Sequence, residues 1–239
     1  MQPSKHGDEA DAQNPTTGTD AEPWEQSRRR SMSAEDIADA YADVADKLAR
    51  WSRLDRLFSG RYRREQFGTA TGRVLDVACG TGRNFRYLDA ADAVVGIDIS
   101  PDVLAYARDE LDALALDGTV HRMDAQTLDF PDNSFDTVVS SFSTCTFPDP
   151  TAALDEMGRV CKPDGDVRLL EHGRSDVAPV ARWQDWRAES HYEKAGCRLN
   201  HEPVRTVRSS DLAVERASGR LFGLVVTIDA APNQTPGSP

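Results

Sequence analysis

Between residues 73 and 171, short apolar runs alternate with stretches whose apolar residues recur at helical spacing. Strand-like runs fall near 73–77, 93–97, 119–123, 135–140 and 166–171. Helical patterns fall near 83–89, 101–114 and 151–160, with Pro101 suited to a first helical position after Ser100. Strands separated by helices form parallel βαβ units. A longer helix near 177–195 carries Trp183 and Trp186, and two last strands, 211–217 and 221–229, flank Ala217-Ser218-Gly219, read as a short turn. The pattern predicts an α/β fold: a doubly wound, mostly parallel sheet of seven strands ending in a hairpin.

Before this block, Ser33 and Asp36 form a capping-box-like pair, and Ile37, Tyr41, Val44, Leu48, Trp51 and Leu54 lie on one helical stripe. Arg50, Arg53, Arg56, Arg61, Arg63 and Arg64 crowd its far end, which reads as a solvated basic face. The segment 31–66 is thus a helical lid on a folded unit that runs from 31 to 230. Residues 1–30 and 231–239 are polar and proline-bearing with little to bury, and are expected to be disordered tails.

The chemistry concentrates where the first strand meets a glycine loop, Val74-Leu75-Asp76-Val77-Ala78-Cys79-Gly80-Thr81-Gly82, and where the second ends in Gly96-Ile97-Asp98-Ile99. A glycine loop lets the backbone lie against a flat ligand, and an acid about 20 residues on suits ribose hydroxyls. A dinucleotide loop has a third glycine, where this chain has Phe85. Asp76, inside the strand, would repel a diphosphate but attract an ammonium or sulfonium. A cationic adenosine ligand, S-adenosylmethionine, fits better than a nicotinamide cofactor.

Composition narrows the class further. The chain has 239 residues, enough for one full core, and a formal net charge of −12, which argues against nucleic-acid partners. Only Lys5, Lys47, Lys162 and Lys194 are lysines among 28 basic residues. Such a surface suits either a high-salt cytoplasm or an ordinary acidic cytosolic enzyme. The start, Met1-Gln2-Pro3-Ser4-Lys5-His6, lacks the apolar core of a signal peptide and no apolar run approaches a membrane span, so a cytoplasmic location is expected. Cys79, Cys145, Cys161 and Cys197 show no C-x-x-C pairing and read as reduced thiols.

Taken as a set, these motifs resemble the class I methyltransferases that use S-adenosylmethionine, over roughly residues 36 to 230. Asp76-x-x-Cys79-Gly80-Thr81-Gly82 is similar to the family's first motif, and Gly96-Ile97-Asp98 to its ribose-binding strand end. Met123-Asp124-Ala125 resembles the turn after the third strand, and Phe130-Pro131-Asp132-Asn133-Ser134-Phe135-Asp136 the approach to the fourth. Cys161-Lys162-Pro163-Asp164-Gly165 resembles the family's L-K-P-G-G turn, with Asp164 and Asp166 as departures. The style is that of the branch holding quinone, phospholipid and small-thiol methyltransferases. The resemblance implies an antiparallel last strand and a small-molecule or lipid-like methyl acceptor. It also implies a cofactor site built from Asp76, Ala78, Gly80, Thr81, Gly82, Asn84, Asp98, Ile99, Asp124, Ala125, Ser141 and Phe142. In it Asp98 takes the ribose, Asp124 and Ala125 take the adenine, and Ser141 and Phe142 line the methionine side.

In-line methyl transfer needs alignment more than a triad, and a base only where the acceptor must lose a proton. His172, beside Glu171, and Tyr41 on the lid are the candidate bases. The basic end of the lid also suits a peripheral contact with an anionic lipid surface. No metal is expected: His191, Cys197 and His201 match no common zinc spacing, and Cys145, with nothing cationic beside it in sequence, reads as a buried inert thiol. Two rivals stand: a non-catalytic S-adenosylmethionine-binding sensor or subunit, and a nicotinamide oxidoreductase, against which Phe85 and Asp76 speak. The sequence leaves the oligomeric state open.

Overall fold

The structure, a computed structural model, describes residues 32–33, 35–37 and 57–233. The lid stripe through Tyr41, Val44, Leu48, Trp51 and Leu54, the tail 1–30 and residues 234–239 lie outside the described residues. Ser33 and Asp36 do cap a helical turn at 35–37, each main-chain N–H bonding the other's side chain at 3.0 and 3.1 Å. A helix over 57–67, α1, leads into the sheet. Its Gln66 donates to the Ile228 carbonyl and to Asp229, which pins it to the last strand.

Seven strands follow: β1 (Gly72–Val77), β2 (Ala91–Asp98), β3 (Gly118–Arg122), β4 (Phe135–Ser141), β5 (Cys161–His172), β6 (Leu212–Arg220) and β7 (Val225–Pro232). Their order in the sheet is β3-β2-β1-β4-β5-β7-β6, parallel except for β7, which runs antiparallel to both neighbours. The central strands read as unbroken apolar runs because both faces are covered. Leu75, Val77 and Ile97 pack on one face with α3 (Pro150–Val160), through Leu154 and Met157. Val74 and Val94 pack on the other with α2 (Pro101–Leu114), through Leu104, Ala107 and Leu111. Both helices begin on proline, whose fixed φ suits a first turn. In α3 the Asp149 side chain also caps the N–H groups of Thr151 and Ala152.

Four expectations are corrected. Residues 83–89 form no α-helix. Only a 3₁₀ turn, Phe85–Tyr87, fits between the glycine loop and β2, and it closes through i→i+3 bonds from Tyr87 and Leu88. The final hairpin does not turn at Ala217-Ser218-Gly219, which pair with β7. The turn lies at 221–224, where Leu221, Phe222 and Gly223 all take positive φ. Strand β7 also runs on through Ala231 and Pro232, which pair with β6, so the expected tail at 231 starts too early. A short helix, α5 (Pro203–Arg208), was not foreseen.

Between β5 and β6 the chain builds a cap from α4 (Ala178–Ala195) at the end of β5, while α5 packs beside α3 against β6 and β7. Gln184 ties α4 down by bonding the carbonyls of Gly173 and Leu199 and the N–H of Ser175. The Tyr192 hydroxyl accepts from the N–H of Met32 at 2.8 Å, joining the cap to the amino-terminal segment. No helix among the described residues is long and apolar enough to cross a membrane.

Candidate active site

A cavity of about 260 Å³ opens at the carboxyl ends of β1, β2, β3 and β4, where an open α/β sheet binds its ligands. Of the twelve residues expected to hold a cofactor, Ala78, Gly80, Thr81, Asp98, Ile99, Asp124, Ala125, Ser141 and Phe142 are on its wall. Asp76, Gly82 and Asn84 are not; Asp76 and Asn84 lie behind the loop, and Gly82, within it, faces Phe85.

The two glycines of the loop do different work. A Cβ on Gly80 would meet no protein atom within 4 Å, so that side of the backbone looks into open space. A Cβ on Gly82 would come within 2.7 Å of the Phe85 ring, and one on Gly96 within 2.8 Å of the same ring. Phe85, fully buried, fills the volume that these glycines vacate. Gly82 is therefore required by packing, and Phe85 takes over the close-packing role of a third glycine. Ala78 and Phe142, the first residues after β1 and β4, hold φ of 55° and 53°, a conformation non-glycine residues seldom adopt. Strain of this kind gathers where a backbone is held for a ligand.

Asp98 is half-buried at the end of β2. One carboxylate oxygen accepts from the Gly80 N–H at 2.9 Å and the other from the Ser100 N–H at 3.0 Å, which fixes the side chain against the loop. Burial raises its pKa, opposed by these bonds. Asp124 is oriented in the same way by the Gln126 main-chain N–H and amide, at 2.9 and 3.0 Å.

Asp76 is fully buried. It accepts from the Asn84 amide at 2.8 Å, and its second oxygen has no hydrogen-bond partner. Desolvation pushes its pKa up to about 7, against the Asn84 bond and the nearby Arg63 charge. Asn84 in turn accepts from the Ser141 hydroxyl and from Arg63. Arg63 also donates to Ser141 at 2.6 Å and lies over the Phe142 ring, 5.3 Å from its centroid. This arginine, expected on a solvated face of the lid, is instead 4% exposed and forms part of the cavity wall. A polar chain thus runs from Asp76 through Asn84 to Arg63 and Ser141, so Asp76 supports the wall without being on it.

Beyond β4, Glu171 is fully buried and accepts from the main-chain N–H groups of Ser143 and Thr144 at 3.3 and 3.2 Å. Burial pushes its pKa up to about 7, opposed by His172 and these N–H groups. His172 is not on the cavity wall; its Nε2 faces Cys197 Sγ at 3.2 Å. Cys197 also receives Cys145 Sγ–H at 3.5 Å. That bond, opposed by burial and joined by the His172 ring, brings the Cys197 thiol down to about 4. His201 is turned toward Thr144 instead, its Nε2 2.8 Å from the hydroxyl. Cys145 does therefore have an ionisable neighbour, one that lies 52 residues away in sequence.

The strand order, the glycine loop and the acids at successive strand ends define a nucleoside-binding methyltransferase. A family profile described as "Methyltransferase domain" matches residues 75–169. Phosphatidylethanolamine N-methyltransferase of Cereibacter sphaeroides is 41% identical over 112 residues, 46% of this chain and 55% of the relative. The chain thus spans about half the length of that relative. The ubiquinone/menaquinone biosynthesis C-methyltransferase UbiE of Pseudomonas paraeruginosa is 33% identical over 190 residues, 72% of this chain and 73% of the relative. A solved Thermotoga maritima structure, described as a "possible histamine N-methyltransferase", shares the fold at 19% identity and a TM-score of 0.63, covering 83% of this chain and all of that one. The chain belongs to the class I S-adenosylmethionine-dependent methyltransferases, in the branch that holds these lipid and quinone enzymes. Its cofactor is S-adenosylmethionine.

Proposed function

We propose that the protein transfers the methyl group of S-adenosylmethionine to a lipid-like acceptor bearing a nucleophilic atom. The cavity fits this cofactor on two local observations. Gly80 faces vacant space that a side chain would fill, and two oriented carboxylates, Asp98 and Asp124, stand on the wall. In this reading Asp98 accepts from the ribose hydroxyls and Asp124, with the Ala125 amide, engages the adenine. Arg63 pairs with the carboxylate of the methionine part, and Asp76 acts at one remove by orienting Asn84. The bound cofactor supplies a methyl group on a positively charged sulfur, already activated toward a nucleophile. Phe142 and Ser141 hold the acceptor side of the cavity and exclude water.

Among the described residues no histidine or tyrosine lines the cavity, and Tyr41 lies outside them. In this reading transfer rests on alignment, which is worth up to roughly 7–11 kcal/mol in well-oriented systems and suits an acceptor atom that attacks without prior deprotonation. The observation that carries the acceptor class is the apolar part of the wall, formed by Ile37, Val103, Met123, Phe142, Phe147 and Pro148. Away from the cavity wall, Leu57 and Phe58 on α1, Val177 at the start of the cap, and Leu221 and Phe222 in the β6–β7 turn are large exposed apolar side chains. The names of the lipid and quinone relatives agree with this choice. The test is incubation with methyl-labelled cofactor and a total lipid extract, followed by phase separation. Label in the organic phase is expected. Label only in water-soluble product would refute the acceptor class, and cofactor binding without any product would favour the sensor reading.

A further inference from the structure

Outside the cavity, the described residues contain one cluster of soft metal donors: Cys145, His172 and Cys197, whose ligand atoms all lie within 4.8 Å of one another. Cys145 comes from the loop after β4, and His172 is the last residue of β5. Cys197 follows Gly196, the left-handed cap residue of α4. The two sulfurs are 3.5 Å apart, and Cys197 Sγ is 3.2 Å from His172 Nε2. A tetrahedral ion bound at ~2.3 Å by thiolate and ~2.0 Å by imidazole sets such atoms about 3.5–3.8 Å apart. The two pairs that involve Cys197 are within a few tenths of an ångström of those edges, and Cys145 Sγ lies within 4.8 Å of the His172 nitrogen.

We propose that Cys145, His172 and Cys197 form a site for a soft divalent ion of the zinc class, with the fourth position left to water. Two thiolates and a neutral imidazole cancel a divalent charge, as a half-buried site requires, and sulfur with imidazole nitrogen selects zinc-like ions over magnesium or calcium. His172 and Cys197 are only partly buried, so an ion has a way in, while Cys145 closes the floor. The surroundings are already braced. Arg198 bonds the Cys145 carbonyl at 3.2 Å, and Glu171 holds the two N–H groups just before Cys145. A disulfide between the cysteines would use two of the three donors and leave the imidazole without a role. A bound ion ties the loop of Ser143, Thr146 and Phe147, which walls the cavity, to the far end of the cap helix. It thereby sets how firmly that wall is held. This inference is independent of the methyl acceptor.

The test uses the full chain, purified under reducing conditions without chelators and with any affinity tag removed. Elemental analysis is expected to find about one zinc per chain. Exchange with cobalt(II) is expected to give a tetrahedral d–d spectrum with a thiolate charge-transfer band. Cys145→Ser and Cys197→Ser should each lose the metal and the band, while His191→Gln, on the helix that leads to Cys197 but outside the cluster, keeps both. Should the serine variants misfold, the wild-type protein is titrated with a mercurial in the presence of a chromogenic chelator, and zinc release is expected to track modification of two thiols. A folded wild-type protein that retains no zinc and shows no cobalt spectrum overturns the proposal. So does a protein isolated two hydrogens lighter with Cys145 joined to Cys197, which would make the pair a redox site.

Discussion

Asp76→Asn offers the sharpest test of how the loop is held. In the protein stripped of cofactor, Asp76 is fully buried with one oxygen unpaired, and its pKa rises from 3.8 to about 7, chiefly through desolvation. Its folded pKa lies above the unfolded one, so between about pH 4 and 7 the folded state holds a proton that the unfolded state has lost. Stability therefore falls as pH rises through that window and levels off above it. At 1.36 kcal/mol per pH unit, the ionised carboxylate costs about 4 kcal/mol once both states are ionised. Asparagine mimics the protonated acid and keeps an oxygen for the Asn84 amide, so the variant escapes this penalty. It should match the wild type near pH 4 and exceed it above pH 7, the gap widening by about 2 kcal/mol between pH 5.5 and 8. For a domain of this size that is roughly 4–8 °C in melting temperature, readable by calorimetry at several pH values. Melting temperatures that run parallel across the range would show that no unpaired charge is stored beneath the loop.

Other expectations follow from the same geometry. Gly82→Ala should destabilise the fold by roughly 1–3 kcal/mol, because the new methyl meets Phe85 and φ is +76°. Gly80→Ala should melt within about 1–2 kcal/mol of wild type yet lose cofactor binding; normal binding by calorimetry would mean that the ligand lies elsewhere. Arg63→Gln should weaken cofactor binding by about 1.5–3 kcal/mol, the scale of a charge-assisted bond, and unchanged affinity would remove Arg63 from the site. Asp98→Ala should cost a similar amount, since it removes both a ligand acceptor and the partner of the Gly80 N–H; a dissociation constant equal to wild type would refute its role.

The sheet was legible because its information is local. Val74–Val77, Val94–Ile97 and Val138–Ser140 are short runs buried on both faces, and a glycine loop after the first can lead only to a carboxyl-edge site. Asp98 and Asp124 were readable for the same reason, each being the acid at a strand end. Arg63 was not. Six arginines in fifteen positions look alike in sequence, and only the packing of α1 on β7 through Gln66 turns one of them inward. The hairpin turn was misplaced because Gly219 is an obvious breaker, whereas the observed turn spends its positive φ on Leu221 and Phe222, residues that announce nothing. The cysteine cluster was hidden by distance along the chain. His191 and His201 are near Cys197 in sequence, but Cys145 and His172 are near it in space, because the cap folds back over the ends of β4 and β5.

The bond between Met32 and Tyr192 spans 160 residues and ties the segment that carries Ile37, a cavity-wall residue, to the cap helix. A wall residue whose segment is anchored by a later part of the polypeptide is fixed only late in synthesis, after the parallel core has been made. Nascent chains emerging from the ribosome would carry the parallel core before the cap helix that anchors the amino-terminal segment. The Ile37 side of the wall is then set in place only once the cap helix has been made, and a product truncated before the cap would lack the partner that holds it.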